Sequence, residues 1–189
     1  MHWNIPNTLT LLRIVLIPVF VVIFYSPYEW SNIASTAIFG LAALTDWLDG
    51  YLARRLKQLS VFGAFLDPVA DKLMVAIALV LLVEANPSFI FTIPAAIIIG
   101  REIAISALRE WMSEIGERTK VAVSIIGKVK TTAQMVAILL LLYETPLGPL
   151  PTHDTGMVLM YVAATLTIWS MFVYLKAAWP IISGKPGND

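Results

Sequence analysis

The sequence predicts an all-α polytopic membrane protein, with six transmembrane helices around a polar cavity open to the cytoplasm. Three observations predict it: six apolar stretches of near-spanning length, basic residues confined to alternate connections, and eleven charges inside or at the edges of those stretches. Of its residues, 58% are hydrophobic and 14% charged, and the mean hydropathy is +0.78. A soluble domain is roughly 45–50% apolar and about 25% charged. One unit spanning residues 1–189 is the simplest organisation.

The six stretches run Thr8–Tyr25, Ile33–Leu52, Pro68–Val83, Phe89–Leu108, Ala122–Tyr143 and Met157–Ala178. Each is near the ~20 residues that a bilayer-crossing helix needs. In lipid only helices and closed barrels satisfy the backbone, and the runs lack the period-2 alternation of barrel strands. Turn chemistry marks the joints at Ser26-Pro27, Asn86-Pro87 and Pro146 through Pro151. The first stretch contains Arg13 and Pro18 and has neither a preceding basic cluster nor a small-residue cleavage site, so no signal peptide is expected.

Charge sets the orientation. With the N-terminus inside, Arg54, Arg55 and Lys57 fall in the first inner loop, Arg118 and Lys120 in the second, and Lys176 and Lys185 in the inner tail. The outer loops carry only acids, namely Glu29, Glu84, Glu144 and Asp154. This is the positive-inside pattern, with both termini cytoplasmic. A formal net charge of zero implies no general attraction to nucleic acid. The absence of cysteine excludes disulfides, Fe–S clusters, thiolate zinc and cysteine nucleophiles.

The charges within the spans are Arg13, Asp46, Asp49, Asp67, Asp71, Lys72, Arg101, Glu102, Arg109, Lys128 and Lys130. An ionised group at the bilayer centre costs roughly 2.5–3.5 kcal/mol on the insertion scale, so each needs a partner, water or a task. The orientation gathers them on the cytoplasmic side. Asp46, the deepest aspartate, lies ~12 Å above Arg54 along the helix axis.

Asp46 and Asp49 are i, i+3 on one predicted helix; Asp67 and Asp71 are i, i+4 on the next. Each pair shares a face, and a short loop makes the helices antiparallel neighbours, so the four carboxylates can converge. Unpaired, they could not all stay ionised. Two divalent cations resolve this, and all-oxygen ligation suits Mg²⁺ or Mn²⁺. Such a pair clamps the attacking and leaving oxygens of a displacement at phosphorus. Gly50 opens the backbone to a phosphate or base, and Arg54 can pair with a phosphate. Blander readings stand beside these. Asp67-Pro68 is also an N-cap and N1 pair, Asp49 and Arg54 could form a structural ion pair, and an intramembrane aspartate also suits an ion pathway.

The residues Asp46, Asp49, Gly50, Ala53, Arg54, Gly63, Asp67 and Asp71 fill every fixed position of D-x2-D-G-x2-A-R-x8-G-x3-D-x3-D. In this the sequence resembles the CDP-alcohol phosphotransferases. The likeness extends to Asn4–Arg13, Arg101–Trp111 and Gly127–Gln134, which resemble the branch that uses glycerol 3-phosphate; it weakens over Glu144–Thr155 and after Ala178. The resemblance implies six helices around a polar cavity, a homodimer, and CDP-diacylglycerol as donor. It implies attack of the acceptor hydroxyl on the β-phosphorus with departure of CMP. Asp46, Asp49, Asp67 and Asp71 become metal ligands, and Asp71 also the general base. CDP contacts fall to Gly50, Arg54, Ser60 and the segment Pro6, Asn7, Thr8, Leu9. The implied location is the bacterial inner membrane, among its lipids, with the site facing the cytoplasm.

Chemistry narrows the acceptor. Arg101, Arg109, Lys128 and Lys130 lie away from the aspartates, on helices 4 and 5, and suit an acceptor bearing phosphate: sn-glycerol 3-phosphate fits, cationic choline does not. Arg109 or Lys128 could instead snorkel at the inner interface, as could Arg13 and Lys72. Rival readings are another acceptor (inositol phosphate, serine or phosphatidylglycerol), an ion-coupled transporter, and a scaffold without chemistry.

Overall fold

The computed structural model describes residues 5–56, 61–115 and 125–183, and over them the chain is all helical. Six helices are described: α1 Ile5–Phe24, α2 Ser31–Leu56, α3 Val61–Ala85, α4 Phe89–Glu114, α5 Ile125–Tyr143 and α6 Thr152–Ile182. Each contains one of the six apolar stretches or most of it; residues 122–124 of the fifth lie outside the described residues. The helices overrun the stretches at their polar ends. α4 continues through Arg109–Glu114, and α6 begins at Thr152, where Asp154 sits in the first turn and complements the helix dipole. The N-cap reading of Asp67 does not hold, because α3 already starts at Val61 and carries Asp67-Pro68 inside it.

Local chemistry explains the boundaries. Ser88 caps α4, its hydroxyl accepting from the Phe91 amide at 3.3 Å. Between α5 and α6 the chain reverses through Glu144 and Gly148, both with φ near +60°. The buried Thr152 hydroxyl lies within hydrogen-bonding distance of two carbonyls, Glu144 O at 2.9 Å and Thr145 O at 3.2 Å, and ties the α6 start to the α5 end.

Backbone contacts divide the described residues into two units. The first holds α1, α2, α3, the end of α5 from Ile138 and the start of α6 to Gly156. Here α1 packs on both α2 and α3, and α2 touches α3. Phe20 and Phe39 meet at 6.4 Å in a core with Ala78, Leu79, Leu82 and Ile138. Arg13 meets Asp46 while Phe20 meets Phe39, so α1 and α2 run antiparallel. At the far end Tyr25 donates to Glu84, and Asn32 donates to Glu144 at 3.0 Å. The Tyr25 phenol is raised above its usual 10.0, first by that hydrogen bond and then by desolvation and the Glu84 charge.

The second unit holds α4, α5 to Ala137 and α6 from Met157. Its core includes Phe91, Ala95, Ile98, Ile105, Met160 and Ala163. Cross-contacts pair Ile90 with Tyr161, Arg101 with Ser170 and Arg109 with Tyr174, so α4 and α6 run parallel.

Among the described residues, α4 and Thr152–Lys176 of α6 are long and apolar enough to cross a membrane, with only 28% and 22% of their most apolar windows buried. Shorter apolar helices cover Thr8–Phe24 and Val129–Tyr143. Aspartates and basic residues interrupt the apolar runs of α2 and α3. Large apolar side chains such as Val22, Leu44, Val80, Ile103, Val158 and Trp169 are exposed.

Candidate functional site

Two clusters of charge stand out, one in each unit. In the first unit α2 carries Asp46 and Asp49, and α3 carries Asp67 and Asp71. The backbone is helical at all four positions. Asp46 accepts from Arg13 Nη1 at 2.6 Å. The guanidinium is 1% exposed and the carboxylate 43%, so water reaches the acid while the cation is sealed between helices. Thr10, one turn before Arg13, is fully buried; Asp71 and Lys72 are half-buried.

The structure therefore gives Arg13 a partner, contrary to the interface-snorkelling alternative. A sequence separation of 33 hid the pair. Its only signal was an arginine in an apolar run with no acid within a helical turn.

No group of three or more potential metal ligands gathers among the described residues. That set includes the side chains of Asp46 and Asp71. The side chains of Asp49, Gly50, Arg54, Asp67, Pro6, Asn7 and Lys128 lie outside it, and Ser60, Lys57, Arg118, Lys120 and Lys185 lie outside the described residues altogether. Thr8 is exposed and Leu9 half-buried near the start of α1. Carboxylates alone, in a chain without cysteine, form a donor set for a hard cation.

The second cluster joins α4, α5 and α6. Glu102 Oε1 accepts from Arg101 Nη1 at 3.0 Å and from Lys130 Nζ at 2.5 Å. Lys130 is 4% exposed, so its ammonium sits in a dry setting where an unpaired charge would be costly. Arg101 Nη2 also donates to Ser170 Oγ at 3.1 Å, and Ser170 donates on to Thr167 O at 2.9 Å. Arg109, more exposed, donates from Nη2 to Tyr174 Oη at 2.5 Å. Three of the four predicted acceptor-site cations, Arg101, Arg109 and Lys130, are thus placed in one network. Selection by charge passed over its uncharged members. Their signal was the polar series Thr167, Ser170, Tyr174 at i, i+3, i+7 along α6.

Comparison with known proteins agrees with the motif. The family described as CDP-alcohol phosphatidyltransferase matches residues 3–169. A protein of Salmonella typhimurium strain LT2 is 58% identical over 178 residues, 94% of this chain and 96% of its own. One of Escherichia coli strain K12 shows the same identity and coverage. One of Yersinia enterocolitica is 58% identical over 182 residues, 95% of this chain and 97% of its own. All three are named CDP-diacylglycerol–glycerol-3-phosphate 3-phosphatidyltransferase.

Proposed function

The chain belongs to the CDP-alcohol phosphatidyltransferase family, and from that membership we propose that it transfers the phosphatidyl group of CDP-diacylglycerol to sn-glycerol 3-phosphate. The products are phosphatidylglycerophosphate and CMP. The single observation that carries this reading is the complete eight-position motif from Asp46 to Asp71, spread over two helices that touch. The names of the 58% identical relatives support the choice of acceptor.

The carboxylate set fits a divalent cation, Mg²⁺ or Mn²⁺, and two ions would balance the four formal charges of Asp46, Asp49, Asp67 and Asp71. Bound there, such ions would offset the negative charge of the diphosphate. Arg13 holds Asp46 in place from α1. Gly50, Arg54, Ser60 and the segment Pro6–Leu9 hold the CDP moiety. Arg101, Arg109, Lys128 and Lys130 hold the phosphate of the acceptor. Asp71 takes the proton from the acceptor's primary hydroxyl; that oxygen bonds to the β-phosphorus as the bond from phosphorus to the CMP oxygen breaks. Such transfers are driven by positioning and charge stabilisation.

The setting is the bacterial inner membrane, with six spans, a cavity open to the cytoplasm, both termini cytoplasmic and a homodimeric assembly. The exposed apolar faces of α4 and α6 support a lipid environment. Parallel α4 and α6, and antiparallel α1 and α2, are the directions that alternate crossing requires.

The test is one assay. Purified protein receives CDP-diacylglycerol and Mg²⁺ with glycerol 3-phosphate, inositol phosphate, serine or phosphatidylglycerol, and the lipid product is identified. Phosphatidylglycerophosphate with stoichiometric CMP is the expected result. Turnover with another acceptor alone overturns the reading.

A further inference from the structure

Tyr174 has no role in the reaction as set out above, yet two arginines converge on it. Its ring centroid lies 5.6 Å from the Arg101 guanidinium and 5.1 Å from that of Arg109, and its hydroxyl accepts from Arg109 at 2.5 Å. The two arginines are eight positions apart on α4, about 12 Å along a helix axis, so both lean toward one side chain of α6. Bringing two guanidiniums to one ring costs Coulomb repulsion. The negative face of the ring and a hydroxyl lone pair offset part of it.

A purely structural cluster would match its cations with acids. Among the described residues this one does not: Glu102 accepts from Arg101 and Lys130, while Arg109 meets Tyr174 and no acid. Moreover, Arg101 Nε is buried without a hydrogen-bond partner among the described residues. A buried donor left unmade is destabilising, and an anionic oxygen would satisfy it. An arginine paired with a tyrosine and no acid, beside a buried guanidinium donor left unbonded, suits the oxygens of a phosphomonoester.

We propose that Tyr174 is a positioning residue for that phosphomonoester: ring and hydroxyl together aim Arg101 and Arg109 at one phosphate. The inference rests on the reading that the α4–α6 cluster holds the acceptor's phosphate. It adds a residue of α6 that acts only through the two arginines.

Steady-state kinetics of the full-length enzyme tests it, with both substrates varied. Arg101→Gln and Arg109→Gln report on the acceptor site itself: each should raise KM for glycerol 3-phosphate about tenfold or more and leave KM for CDP-diacylglycerol within about twofold. Tyr174→Leu removes ring and hydroxyl and should raise the same KM about tenfold, with kcat changed less than about threefold. Tyr174→Phe keeps the ring, so its shift should be smaller, about threefold. A general packing defect would instead move kcat and both KM values together. If the arginine variants shift KM for glycerol 3-phosphate and both Tyr174 variants leave it unchanged, the positioning role is overturned and the acceptor site stands. If the arginine variants leave it unchanged, the acceptor reading fails and the role of Tyr174 falls with it. Should Tyr174→Leu not fold, Tyr174→Phe decides alone, an unchanged KM overturning the proposal.

Discussion

Breaking the contact between Arg13 and Asp46 gives a quantitative test of how the first unit holds its acidic centre. The guanidinium is 1% exposed and the carboxylate 43%, at 2.6 Å. With charge centres about 4 Å apart and an effective dielectric constant near 20, the gross attraction is about 4 kcal/mol. Burial of the guanidinium lowers that figure through desolvation, and solvent at Asp46 screens it further. We therefore expect a net coupling of about 1–2 kcal/mol. The assay is a double-mutant cycle over Arg13→Gln, Asp46→Asn and the double variant, each unfolded reversibly in mixed micelles. The cycle cancels whatever else either side chain touches, so the coupling belongs to the pair. Arg13→Lys should recover only part of it, because an ammonium is a point charge without the guanidinium fork. Additivity within about 0.3 kcal/mol would refute the reasoning.

Three further outcomes are expected. Asp71→Asn should abolish CMP release while the protein still purifies folded, and near-normal turnover would remove Asp71 from the role of base. Chelation by EDTA should stop turnover and added Mg²⁺ or Mn²⁺ should restore it; full activity in chelator would reject the metal reading. At the other end of the first unit, the Tyr25 phenol should titrate above 10.0. Because its folded value is raised, the stability from its bond to Glu84 is present below the usual value and lost as pH rises through the raised one. Difference absorbance at alkaline pH against Tyr25→Phe measures this, and a phenol ionising at or below 10.0 contradicts it.

Much of the fold was legible in the sequence, for a physical reason. A helix against lipid keeps an apolar middle, and hydropathy reads that middle directly. The start of α4 at Phe89 and the end of α5 at Tyr143 were legible because Ser88 and Glu144 stop the apolar run where the helix stops. The start of α6 was not, since Thr152–Gly156 is polar and still helical. Asp67-Pro68 misled in the opposite direction: it has the chemistry of a helix start, and α3 runs through it. Spacing made the aspartate pairs visible because i, i+3 and i, i+4 relations are local. Pairings between helices, such as Arg13 with Asp46 and Arg109 with Tyr174, depend on which faces pack together, and one sequence does not carry that information.

The cross-helix pairings also change what the charges mean. Gross charge would describe an acidic region and a basic region. Each region in fact contains a counter-ion of the opposite sign, Arg13 beside Asp46 and Glu102 beside Lys130 and Arg101. What a region can bind follows from the charge left after such pairing. On the proposed reading the acidic region keeps a surplus that suits cations, and the basic region one that suits a phosphate. Glu102 and Arg13 therefore limit the self-repulsion of each cluster while leaving a surplus of the sign that its ligand requires. On this view Glu102→Gln would not simply strengthen anion binding. It would also remove the acceptor that holds the buried Lys130 ammonium in place, and a cation without its anchor contributes less to an ordered site than one already oriented.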